Sequence, residues 1–272
     1  MANQFKFGVM VDAIPPKALS KGWELLEVPA HIHCDPNKSD AFWQKNKAMY
    51  KEDGRPSLSS GFMLPSASGA GPQYDREYVL FALDRQFARM NELGIKYAGC
   101  YGGHFMCPEG FDRAKALDQT LSTINIMADY AEKYGMLIAL EPQAGRHTVF
   151  PRYLEGVEIA KMTGRRSVKC MVDLNYFVAL NQPLEDILKY PDYCLDVHIA
   201  GQGGAQPNVC DEDWKALLLR LFKILKEIGY DKGVMAACPW KITNGAAEID
   251  YTYETDKALA FLEDLRAKAY GG

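Results

Sequence analysis

Three strand-length apolar runs, each ending in a side chain able to bind a metal, constrain this chain more than any other feature. Met136-Leu137-Ile138-Ala139-Leu140 ends at Glu141, Val168-Lys169-Cys170-Met171-Val172 at Asp173, and Tyr193-Cys194-Leu195-Asp196-Val197 at His198. Loop signals and then a helical pattern follow each run, which is the rhythm of a parallel α/β fold. In a closed (β/α)8 barrel the C-terminal ends of all strands open onto one face, and active sites are built there. Two carboxylates and an imidazole far apart in sequence are therefore expected to converge. A barrel of this kind takes about 250 residues, so the 272 residues suit one TIM-barrel domain over 1–272.

The remaining elements fit the same fold. Phe5 to Val11 reads as strand one, and Asp12-Ala13-Ile14-Pro15-Pro16 makes the first crossover short or irregular. Trp23 to Val28 reads as strand two, stopped by Pro29. Ala30 to Cys34 opens a polar insertion with a helix from about Asp40 to Tyr50, N-capped by Ser39. Ser59 to Leu64 is strand three, and the Gly- and Ser-rich stretch Pro65 to Pro72 is a candidate lid. A helix from Asp75 to the Gly94 stop leads to strand four, Lys96 to Tyr101, which runs into Gly102-Gly103-His104. The clearest helix spans Phe111 to Tyr134, with Gly135 just past its end. Further helices are expected at Tyr153 to Met162, near Leu184, from Asp211 to the Gly229 stop, and from Asp256 to Lys268. Gly233 to Cys238 is strand eight.

Composition excludes several classes. Net charge is −4 and there is no long basic run, so no nucleic-acid footprint is indicated. No apolar stretch is long enough to cross a bilayer, and the first residues lack a signal-peptide core, so a cytoplasmic protein is expected. The seven cysteines are scattered without a CxxC pair and read as reduced thiols, several in strands.

Leu140-Glu141-Pro142, Val172-Asp173-Leu174-Asn175 and Val197-His198-Ile199-Ala200, in that order and at strand ends, resemble the sugar phosphate isomerase/epimerase superfamily. Its barrel is xylose-isomerase-like, and its members include ketose 3-epimerases, hydroxypyruvate isomerase and inosose-processing enzymes. The resemblance implies a divalent metal, Mn2+ first and Mg2+, Co2+ or Zn2+ as alternatives, held by Glu141, Asp173 and His198. The family's fourth ligand is a Glu on strand eight that also serves as one of two acid/base residues. Ala237 stands in its place here. Tyr176 replaces the His expected three residues after the strand-six Asp, and Gly204 falls where an Arg is expected after the strand-seven His. The scaffold resembles the family's; the catalytic set is edited.

Candidates for the remaining roles follow from position. His147, six residues after Glu141, is the preferred proton-transfer base, because a neutral imidazole suits that task near pH 7; Glu141 is the alternative. His104, Arg146, Trp240 and Lys241 are candidate substrate contacts, and Cys238, Gln202 or His104 could replace the missing ligand. His31 and His33 would share one face if their segment is extended. Gly201-Gln202-Gly203-Gly204 lacks a P-loop lysine and reads as a flexible loop rather than a phosphate cradle. Phe42, Trp43 and Tyr50 read as packing.

The leading expectation is a metal-dependent isomerase or epimerase of a small keto-sugar or related polyol, working through an enediolate. Without a strand-eight carboxylate, one-base chemistry is expected. The second is a lyase that eliminates an aglycone from 3-oxo-glycosides, as some barrels of the superfamily do together with a partner subunit. A homo-oligomer or a hetero-complex stays open, and the third expectation is a non-catalytic barrel that binds a sugar or a partner chain.

Overall fold

The computed structural model describes residues 4–12, 14–61, 63–64, 68–240 and 250–271. Eight parallel strands close into one barrel in the order β1 to β8. They are β1 Lys6–Met10, β2 Leu25–Pro29, β3 Ser57–Gly61, β4 Tyr97–Tyr101, β5 Leu137–Glu141, β6 Val168–Asp173, β7 Cys194–Ile199 and β8 Gly233–Ala236. The helices are α1 Ala30–His33, α2 Asp40–Asp53, α3 Arg76–Leu93, α4 Arg113–Tyr134, α5 Tyr153–Met162, α6 Leu174–Ala179, α7 Asp186–Lys189, α8 Glu212–Glu227 and α9 Tyr251–Tyr270. Both faces of a barrel strand are covered, which is why the strands read as near-continuous apolar runs. The (β/α)8 expectation is borne out.

Local chemistry sets the boundaries. Ser39, Asp75, Asp112, Asp211 and Asp250 each accept a backbone N–H in the first turn of the helix that follows. Asp173 does the same for α6, accepting from Asn175 N and Tyr176 N, so the strand-end carboxylate is oriented by the helix it starts. Gly94 and Gly135 end α3 and α4 in the left-handed conformation.

Among the described residues the first crossover carries only a 3-10 turn, Pro16–Ala18, as the paired prolines imply. α9 lies against this seam. Ser20 N donates to Thr255 Oγ1, Trp23 Nε1 to Thr255 O, and Thr252 Oγ1 to Ala18 O.

Two local expectations change. His31 and His33 sit in α1, one helical turn, so residues two apart do not share a face as they would in an extended segment. His33 Nδ1 instead pairs with the hydroxyl of buried Tyr50, 2.5 Å away. The helix expected near Leu184 is preceded by α6, which directly follows Asp173 and contains Tyr176. Of the candidate lid, Pro65 to Ala67 lie outside the described residues. The next stretch is tied down: Gly69 N and Ala70 N donate to His104 O, and Gly71 N donates to Gln119 Oε1.

Candidate metal and sugar site

The barrel brings Glu141, Asp173 and His198 together. One donor atom from each lies within 4.8 Å of the other two, and all three side chains are buried. β6 and β7 pair Asp173 with His198, and Glu141 ends the neighbouring strand β5, so the three side chains come from adjacent strands. His198 Nδ1 is 3.6 Å from Glu141 Oε1 and 3.9 Å from Asp173 Oδ2. Those separations are too long for hydrogen bonds, but they suit donors placed around one cation at bonds of about 2.0–2.2 Å.

A second group lies on the other side of the same ring. His198 Nε2 is 2.8 Å from Glu27 Oε2, and Glu27, Asp196 and His198 also form a cluster within 4.8 Å. The Glu27 contact is ionic but poorly aligned, so His198 Nε2 and both Glu27 oxygens have no hydrogen-bond partner among the described residues. Gly61 makes room for this carboxylate: a Cβ there would stand 2.7 Å from Glu27 Oε1. Glu27 and Asp196 escaped the sequence reading because each sits inside an apolar strand. The available signal was a carboxylate in a strand whose two faces are both buried.

Electrostatics follow from the crowding. Burial, then the Glu141 carboxylate, raise Asp173 to about 7. Burial, then Glu27, raise Asp196 to about 7. Burial by itself would lower His198, but Glu27 and Glu141 outweigh it and hold the imidazole well above its ordinary value. A positive centre is what such a buried set of acids calls for. Carboxylate oxygens with one imidazole nitrogen fit a divalent cation such as Mn2+, Mg2+, Co2+ or Zn2+.

The cluster opens into a cavity of about 380 Å³, lined also by Met10, Asp12, Asn175, Tyr176, Ala237 and Cys238. A larger cavity of about 440 Å³ lies beside it rather than over the donor set. Its walls include His31, Asp35, Tyr78, Tyr101 and His104. A hydrogen bond between Tyr101 and Tyr176 joins the walls of the two cavities.

The other sequence candidates separate. His104 is buried and faces the larger cavity, with Leu64 N donating to its Nε2 at 3.4 Å. His147 is not among the residues lining either cavity. Its loop is drawn onto the segment after β4, where Cys107 N donates to His147 O and Met106 bridges Thr148. Arg146, on the same turn, is exposed. Trp240 is 4% exposed and packs edge-on against Trp23, 6.3 Å between ring centres, so it belongs to the core and offers no sugar-stacking face. Lys241 lies outside the described residues. Cys238 lines the donor cavity, but burial pushes its thiol up to about 12, and Gln202 donates to Asp211 instead. Trp43 and Tyr50 are buried packing residues, as expected.

A closed parallel barrel with buried acids and an imidazole at its strand ends defines an enzyme of the TIM-barrel class. Residues 22–265 match the model of the xylose isomerase-like TIM barrel family, and the chain belongs to it. No curated protein matches the chain. Similar solved structures include the 3-keto-D-glucoside 4-epimerase YcjR from E. coli, with TM-score 0.77 and 16% identity, covering 96% of this chain and 100% of that one. D-psicose 3-epimerase from Clostridium cellulolyticum H10 has TM-score 0.77 and 19% identity, with 96% and 99% covered. The IOLI protein with a bound zinc atom has TM-score 0.68 and 14% identity, with 97% and 98% covered.

Proposed function

We propose that the chain is a divalent-metal-dependent isomerase or epimerase of a small keto-sugar or related polyol. The observation that carries this is the convergence of Glu141, Asp173 and His198 donor atoms within 4.8 Å at the floor of an open cavity. Glu141, Asp173 and the Nδ1 of His198 would hold the cation. When bound, a cation supplies Lewis-acid polarisation of a ketone and so acidifies the neighbouring C–H. Asp173 is pinned by the N-terminus of α6, and His198 is braced by Glu27, so the donors are set before substrate arrives. Glu141 lines the cavity and His147 does not, which favours Glu141 as the base that removes the proton and leaves an enediolate. Tyr176, raised far above its ordinary value chiefly by burial, stays protonated and can donate a hydrogen bond to a substrate oxygen.

The test is metal loading followed by incubation of D-fructose, D-psicose and D-tagatose in D2O. Mn2+ should raise the melting temperature, and deuterium should enter at the carbon next to the carbonyl. No gain of stability with excess Mn2+, Mg2+, Co2+ or Zn2+ would remove the metal site.

One observation favours a second reading. The 440 Å³ cavity beyond the Tyr101–Tyr176 wall leaves space for a group attached to the sugar, which suits a 3-oxo-glycoside as substrate. Elimination would then release the aglycone, whereas epimerisation would keep it; the identity of the product separates the two.

A further inference from the structure

Glu141 stands at the end of β5, and the strand diametrically across an eight-stranded closed barrel is β1. The residue just past β1 that lines the same cavity is Asp12. The β1–β8 ladder pairs Val9 with Ala236, so three residues further on Asp12 comes level with Pro239, beside Ala237 and Cys238. Ala237 brings only a methyl group to its side of the cavity. Asp12 thus puts a carboxylate in the same cavity as Glu141, on the β1–β8 side, where Ala237 has none.

The other titratable side chains lining this cavity are engaged. Asp173 caps α6, His198 contacts Glu27, Tyr176 bonds Tyr101, and the Cys238 thiol stays protonated. Asp12 is exposed and has no hydrogen bond or salt bridge among the described residues, so no structural duty accounts for it. His31 and His33 feel its charge from α1, but burial holds both imidazoles below their ordinary value, so neither is a fixed counter-ion at neutral pH.

We propose that Asp12 is a second catalytic carboxylate, working on the face of the substrate opposite Glu141. In one turnover the Glu141 carboxylate takes the proton from the carbon beside the carbonyl. The C–H pair moves into the C=C bond of the enediolate. The Asp12 carboxyl then gives a proton to the other face of that carbon, the pair returns to the new C–H bond, and the carbonyl reforms. The configuration is inverted and one proton has passed from Asp12 to Glu141; solvent exchange resets both. Two opposed carboxylates make the chain competent for epimerisation, which one base on one face is not. The assignment rests on the isomerase or epimerase reading above.

The test uses the Mn2+-loaded full chain in D2O with D-fructose, D-psicose, D-tagatose and methyl 3-keto-glucoside, reading deuterium incorporation and epimer formation separately. Asp12→Asn should keep its metal, retain deuterium exchange within about tenfold, and lose epimer formation by about 10²–10⁴, the usual contribution of a positioned acid or base. Asp12→Glu should restore part of the epimer. Glu141→Gln should lose both signals. Wild-type epimer formation by Asp12→Asn overturns the proposal, as does loss of its metal, or an equal fall of exchange and epimer together. Absence of any exchange by the wild-type protein would instead overturn the isomerase reading, and Asp12 would have no proton to move.

Discussion

His198 Nε2 stands 2.8 Å from Glu27 Oε2, on the far side of the ring from Glu141 and Asp173. The negative charge of a carboxylate there favours a proton on Nε2, so that a cation can displace the one on Nδ1. Glu27→Gln should therefore weaken divalent-metal affinity by about 10–100-fold, as loss of such a bracing partner does in other metal sites. Competition titration with a chelator of known affinity checks it, and unchanged affinity would mean that the ring is held by packing alone.

Gly61→Ala should act through the same carboxylate. The added Cβ would lie 2.7 Å from Glu27 Oε1 and force it aside. We expect destabilisation of about 1–3 kcal/mol, typical of overpacking, together with weaker metal binding. In the Gly61→Ala/Glu27→Gln double variant the two metal-binding losses should not add, because both remove one contact. Denaturant unfolding and metal titration of the four proteins measure this.

Stability of the metal-free protein should fall as pH rises from about 4 to above 7. Asp173 and Asp196 are raised from 3.8 to about 7 in the fold, so the native state binds more protons than the unfolded chain across that window. His198 acts in the same direction: its folded value is raised, so its contribution is complete below about 6.5 and is lost as pH climbs through the folded value. Metal needs the carboxylates ionised, so Mn2+ should restore most stability at the alkaline end and release protons on binding near pH 6. Melting curves from pH 4.5 to 8.5, with and without Mn2+, show whether the two slopes diverge.

His147→Ala should leave turnover and deuterium exchange within about threefold, while Glu141→Gln should lower exchange by about 10²–10⁴. Glu141→Gln also removes a candidate ligand, so its metal content is measured alongside. A large loss for His147→Ala with metal retained would return the base to that imidazole.

The strand-end trio was readable because parallel strands announce themselves as apolar runs and the barrel decides where their ends go. Residues whose meaning depends on distance across the barrel were not. Glu27 looks like one polar residue in Leu25-Leu26-Glu27-Val28, and only closure sets it against His198 from β7. Asp12 looks like the start of a proline-rich crossover, although it stands just past the end of β1 and lines the same cavity as the trio. His147 lies off both cavities for the converse reason. Sequence spacing put it near Glu141, but its loop is pulled toward the β4 side by the Cys107–His147 backbone bond. Trp240 likewise sits at a strand end and packs inward on Trp23.

The seam between β1 and β2 carries a consequence for how the chain reaches this state. Where other crossovers are covered by a helix that follows directly in sequence, this one is covered by α9, through bonds that span 232 to 235 residues. Closing so wide a loop is entropically costly until the intervening strands are already arranged. On a translating ribosome Trp23 and its neighbours would wait, their apolar surface accessible to chaperones, until residues 250–271 have emerged.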